Sequence, residues 1–127
     1  MSEESRRDGP VRWAVAAAGL MGAAGVAAAA AAAHGTDARL LGAASAVCLA
    51  NAPALLVLGL SGRKLPLVGM CAALLPLGTL LFAGDLALRT FIGRGLFPMA
   101  APTGGMTMIV AWLLISLGAL LPRGGRD

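Results

Sequence analysis

"AAPTGGMTMIVAWLLISLGALL", residues 100–121, joins two kinds of instruction. Pro102, Thr103, Gly104 and Gly105 are turn and breaker residues. The stretch behind them carries no charge to Leu121, and is about as long as a helix must be to cross a bilayer core. Pro102 suits a first helical turn, where a missing backbone donor does no harm. Thr103 is a candidate cap. Gly104 and Gly105 lack side chains, so another backbone can approach the helix start. We expect that contact on the third helix near Gly84 or on the first near His34. Trp112 lies two turns deeper.

Three further runs share the apolar character: about 14–33, 40–60 and 65–84, the last continuing as helix to about 88. Hydrophobic residues make up 58% of the 127-residue chain and charged residues 13%. Soluble domains carry roughly 25% charged residues, so this chain lacks the polar surface of a water-facing globule. The runs are continuous rather than alternating, which excludes a membrane β-barrel. The expected fold class is an all-α integral membrane protein, its four transmembrane helices packed as a small bundle. Residues 1–13 form a basic tail, 14–121 one membrane domain (spans about 14–33, 40–60, 65–88 and 102–121), and 122–127 a second tail.

The net charge of +4 does not point to nucleic acid, because the basic residues lie in tails and connectors. Arg6, Arg7, Arg12, Arg63, Lys64, Arg123 and Arg126 share one side, seven in all, against Arg39, Arg89 and Arg94 on the other. The positive-inside rule then puts both termini in the cytoplasm, in the plasma (inner) membrane. "SRRDGPVRW" resembles the opening of a signal peptide. Asp8, Gly9 and Pro10 stand where a twin-arginine signal has apolar residues, and the apolar stretch outruns a signal core. We read a retained helix. Its small residues recur four apart, Ala18–Gly22–Val26 and Gly19–Ala23, a spacing that lets helices approach closely in lipid.

Polar residues inside spans are costly and mark candidate sites. Asn51 lies mid-span, two residues before Pro53, whose ring frees the carbonyl of Leu49. Asn51 is expected to satisfy a freed carbonyl or to reach a neighbouring helix. Thr79 lies at a similar depth. Near the outer boundary stand His34 and the pair Asp85–Arg89, whose four-residue spacing and order favour an ion pair on one helix face. We expect an exposed helix-end pair at headgroup level. Cys48 and Cys71 fall at different depths and read as core-filling residues rather than a disulfide. The connector "RTFIGRGLFPMAAP" is too apolar to stand in water and is expected to lie in the membrane interface.

The order "GLMGAAGVAAAAAAAHG", "NAPALLVLGL", "LFAGDLALR" and "APTGG" before "AW" resembles family 423 among the domains of unknown function, which includes the transmembrane protein 256 type. Members typically read Gly-Ala-Phe-Gly-Ala-His, a later His-Ala-Leu-Ala-Leu, Phe-Ser-Gly-Ser-Leu, and Pro-Ile-Gly-Gly before Gly-Trp. Here His34 matches the first histidine and Asn51 stands at the second. Asp85 replaces the second serine, Thr103 the isoleucine, and Ala111 the glycine before Trp112. The resemblance covers about residues 14–121. It implies a four-helix membrane protein with no established activity, and the absent second histidine argues against a two-histidine mechanism.

No nucleophile–base pair, metal set or phosphate loop is legible, so the chain reads as a non-enzyme with no cofactor. The expected function is structural: a bundle that packs with the lipid bilayer, with itself as a homo-oligomer, or with a larger membrane complex. The alternative is a small solute or proton transporter or channel acting as an oligomer, through Asn51, Thr79 and Asp85, since transport sites are often built on interrupted helices.

Overall fold

A computed structural model describes residues 9–35, 37–62 and 67–122. Four helices follow one another: α1 (Arg12–His34), α2 (Ala38–Ser61), α3 (Val68–Phe91) and α4 (Ala100–Leu120). Each is long and apolar enough to cross a membrane. The protein is a four-span membrane protein. The basic residues Arg6, Arg7, Arg63, Lys64, Arg123 and Arg126, on which the orientation argument leans, lie outside the described residues.

The helix ends follow from local chemistry. Val11 precedes α1, and its N–H donates to the carbonyl of Gly59 at 2.8 Å. That bond satisfies one of the carbonyls left without a partner in the last turn of α2. Gly62 ends α2 with φ 62° and ψ −140°, a conformation that side-chain-bearing residues rarely adopt. Helix α3 runs three residues past the expected 88, closed by Ile92 N–H donating to Leu88 O at 2.8 Å. Helix α4 starts at Ala100, two residues before the expected 102. Pro102 is therefore its third residue, still within the first turn, where no N–H needs an intrahelical partner. Thr103 is not the cap. It sits inside the helix, its N–H donating to Met99 O at 2.9 Å, and Met99 holds the cap position in a left-handed conformation (φ 70°).

Helices α1 and α2 pack as one hairpin, α3 and α4 as another, and the hairpins meet mainly through α2 against α3. The core is built from small residues. Ala14, Ala18, Ala72 and Ala111 are buried with Leu55, Leu75 and Cys71, whereas Leu20, Leu80, Leu113 and Leu120 face outward. This is the arrangement expected where lipid is the solvent: large apolar side chains gain nothing by leaving it, and small ones let backbones approach. Cys48 and Cys71 are buried and free.

The four-residue spacing picked out the packed face of α1 only in part: Ala18 is buried and a Cβ on Gly22 would lie 3.9 Å from Ala52 Cβ. Val26 is exposed, and a Cβ on Gly19 would meet nothing within 4 Å. The close approach is at Gly25, where a Cβ would fall 2.8 Å from Leu49 Cγ. The carbonyl of Gly25 also accepts a bond from Ser45 Oγ at 2.8 Å. Spacing alone allows several faces; the bond from Ser45 and the contact with Leu49 select one.

Candidate functional site

Two polar clusters lie inside the bundle. The first is at mid-span. Asn51 of α2 is buried beside Pro53, but Pro53 itself faces outward. The Asn51 amide does not turn to a carbonyl freed by the proline. Its Nδ2 donates to Thr79 Oγ1 of α3 at 3.0 Å and to Met108 Sδ of α4 at 2.9 Å. Its Oδ1 accepts from Trp112 Nε1 of α4 at 3.0 Å. The direction of every bond is dictated by chemistry. An indole N–H only donates, so the amide oxygen must face Trp112. Thr79 Oγ1 donates to Leu75 O at 2.7 Å, so it receives from Asn51. One asparagine thus joins three helices through a chain whose donors are all engaged.

The same level holds the closest helix crossing. A Cβ on Gly104 would fall 2.6 Å from Gly78 O and 2.6 Å from Phe82 N. A Cβ on Gly78 would fall 2.8 Å from Gly104 O. The contact of Gly104 is therefore with Gly78 and Phe82 of α3, not with Gly84 or the His34 end of α1. Gly105 takes no part: a Cβ there would lie 3.9 Å from Phe82 Cδ2. Because Thr79 follows Gly78 and Met108 lies one turn after Gly104, the crossing and the network form one unit.

The second cluster sits near the end of α3. Asp85 and Arg89 pair, Arg89 Nε donating to Asp85 Oδ2 at 2.8 Å. The pair is not the exposed one expected. Asp85 is 0% exposed while the Arg89 side chain is 48% exposed. The reason lies in the connector: Leu96 N–H donates to Asp85 Oδ1 at 2.8 Å, folding the chain after α3 back over the carboxylate. Gly95 meets Asp85 so closely that any Cβ would collide with Oδ1. Gly93, at φ 87°, provides the turn. His34 is exposed at the end of α1 and joins neither cluster.

Sequence reasoning named the Asp85–Arg89 pair as a pair, but Asn51, Thr79, Gly104 and Trp112 separately, without the bonds that join α2 to α3 and α4. It missed Met108, Gly78, Gly95 and Leu96. Met108 reads as ordinary apolar filling, and the part of Leu96 is played by its backbone, which leaves no trace in residue type. Among the described residues no buried side-chain nitrogen or oxygen lacks a partner, and no three His, Cys, Asp or Glu side chains gather as a metal-binding set.

Comparison with curated proteins and with solved structures gives no match. The family described as "Protein of unknown function (DUF423)" matches residues 15–105. That range takes in His34, Asn51, Thr79, both close-packed glycines and the Asp85 cluster, and stops before Met108 and Trp112. Since it spans well over half of the 127 residues, the chain belongs to the DUF423 family of proteins of unknown function.

Proposed function

We propose that this is a structural or interaction protein of the plasma membrane, with both termini cytoplasmic and no catalytic activity of its own. One observation carries the reading: every described buried polar side chain is bonded inside the bundle. An unsatisfied polar group in lipid costs several kcal/mol, so polar residues in spans persist either to bind something or to hold helices together. Asn51, Thr79 and Asp85 hold helices and connector together. Their donors are all engaged, and each of their oxygens already holds a partner within the bundle. Partners on this reading are the lipid bilayer, further copies of the chain, or a larger membrane complex.

Flux through liposomes containing the purified protein tests this. Proton and small-solute leakage should equal that of empty liposomes. A flux that Asn51→Leu or Asp85→Asn abolishes would sink the scaffold reading and establish the transporter. Orientation is tested by thiol labelling from outside the cell, with Cys48 and Cys71 buried and quiet. Ile92→Cys should be labelled and Leu121→Cys should not; the reverse pattern overturns the cytoplasmic assignment.

A further inference from the structure

A cleft of about 650 Å³ opens sideways between α1, α2 and α3. It runs from Leu20 to Ala31 on α1, from Cys48 to Leu41 on α2, and from Pro76 to Phe91 on α3. Its wall is apolar except for the hydroxyl of Thr79, which already donates to Leu75 O and accepts from Asn51. A ligand that needs hydrogen bonds finds none to make here.

The cleft has a definite length and a definite end. Leu20 to Ala31 spans about 17 Å and Pro76 to Phe91 about 22 Å at the helical rise. One leaflet is half of a hydrocarbon core of about 30 Å. The cleft is therefore somewhat deeper than a single leaflet and short of a full span. Beyond mid-span it stops, because Ala14, Ala18, Leu58, Cys71 and Ala111 pack the helices together. A transmembrane helix of a second copy would have to continue past that closure, whereas an acyl chain ends there. Arg39 lies two residues from the lining residue Leu41, and Arg89 two residues from Ala87 and Phe91, so both project from the opposite faces of α2 and α3 and leave the cleft wall uncharged.

We propose that the cleft seats one acyl chain of a phospholipid from the leaflet at the end where α1 finishes, α2 begins and α3 finishes. The proposal rests on the four helices spanning a membrane and not on the scaffold reading; a transporter would hold the lipid equally well.

The test uses the full-length protein in vesicles of zwitterionic and anionic phospholipid with a trace of phospholipid carrying a photoreactive group on its acyl chain. Labelled peptides are mapped by mass spectrometry. Label should be enriched severalfold on residues 20–31 and 80–91 over the outward face of α4 at Ile109 and Leu113. Ala83→Phe, which fills the cleft from α3, should remove the enrichment and leave the α4 label unchanged. Ala28→Phe does the same from α1 should the first variant fail to reach the membrane. Even labelling of all outward faces overturns the site. An unchanged pattern in the filled variants does so too, as does a near-complete disulfide-linked dimer of Ala28→Cys, which would put a second copy against the cleft.

Discussion

The mid-span crossing and the boundary strap both bury polar groups, yet they hold different things. At mid-span, neutral bonds connect residues 28, 57 and 61 positions apart, beside a contact in which two glycines bring α3 and α4 backbone to backbone. At the boundary, a carboxylate binds residues four and eleven positions away. The first fixes how helices sit on one another. The second fixes how one connector leaves one helix. A buried charge is tolerated at the strap because Arg89 reaches out toward the headgroups while its Nε stays on the acid, the snorkelling that long basic chains permit. At mid-span no such escape exists, and the polar residues there are uncharged.

The crossing should break first and hardest. Gly104→Leu places side-chain atoms where Gly78 O, Phe82 N and Leu81 Cβ already stand. Two of those three are backbone and cannot turn aside. Overpacking of a close-packed site costs about 1–3 kcal/mol, occasionally more, and this site belongs at the upper end. We expect a large fall in thermal stability in mild detergent and in membrane abundance. Gly105→Leu should stay close to the parent, since its Cβ meets only the ring edge of Phe82. Equal behaviour of the two variants would show that the α3–α4 contact does not rest on Gly104.

The strap should give way next, and locally. Asp85→Ala leaves Arg89 Nε and Leu96 N–H without their acceptor. Hydrogen bonds involving charged groups contribute about 1.5–3 kcal/mol. The exposed pair expected from the sequence would contribute only about 0–1 kcal/mol, so the magnitude itself separates the two descriptions. Amide hydrogen exchange should rise across 93–98 and stay unchanged around Asn51 and Thr79. Asp85→Asn keeps one oxygen as acceptor and should fall between Asp85→Ala and the parent. Exchange that rises equally at mid-span would mean that the two regions are one cooperative unit and that the contrast drawn between them is false.

How much of this was legible beforehand follows from how far each signal reaches along the chain. The four spans were readable because hydropathy is a local property of about 20 residues, and the structure moves their ends by only a few positions. The Asp85–Arg89 pair was readable because one helix turn sets it. Its burial was not, because the covering group is a backbone N–H delivered by Gly93 and Gly95. Gly104 was readable as a contact, but its partner was placed at Gly84, about a turn and a half away, or at the His34 end of α1, since depth along a helix does not tell which face turns inward. Asn51 was readable as costly in lipid. That Trp112 answers it from 61 residues on depends on how two hairpins pack, and no spacing in the sequence encodes that.

The smallest effect probes that long-range bond. Trp112 is 45% exposed, so much of its ring faces outward, and Trp112→Phe removes mainly the indole N–H that binds Asn51 Oδ1. Interhelical hydrogen bonds in membranes contribute on average about 0.6 kcal/mol and at most about 1.7, so the single replacement should lower stability only slightly. The informative measurement is a double-mutant cycle with Asn51→Leu. That variant leaves Thr79 bonded to Leu75 O and strips Trp112 of its acceptor. In its background, Trp112→Phe should have almost no further effect, or recover a little stability, because the indole N–H it deletes is already unpaired. Neighbours that share a bond depart from additivity in this way. Should the two replacements add independently, the bond between α2 and α4 contributes nothing to the bundle, and mid-span cohesion would rest on the Gly78–Gly104 crossing alone.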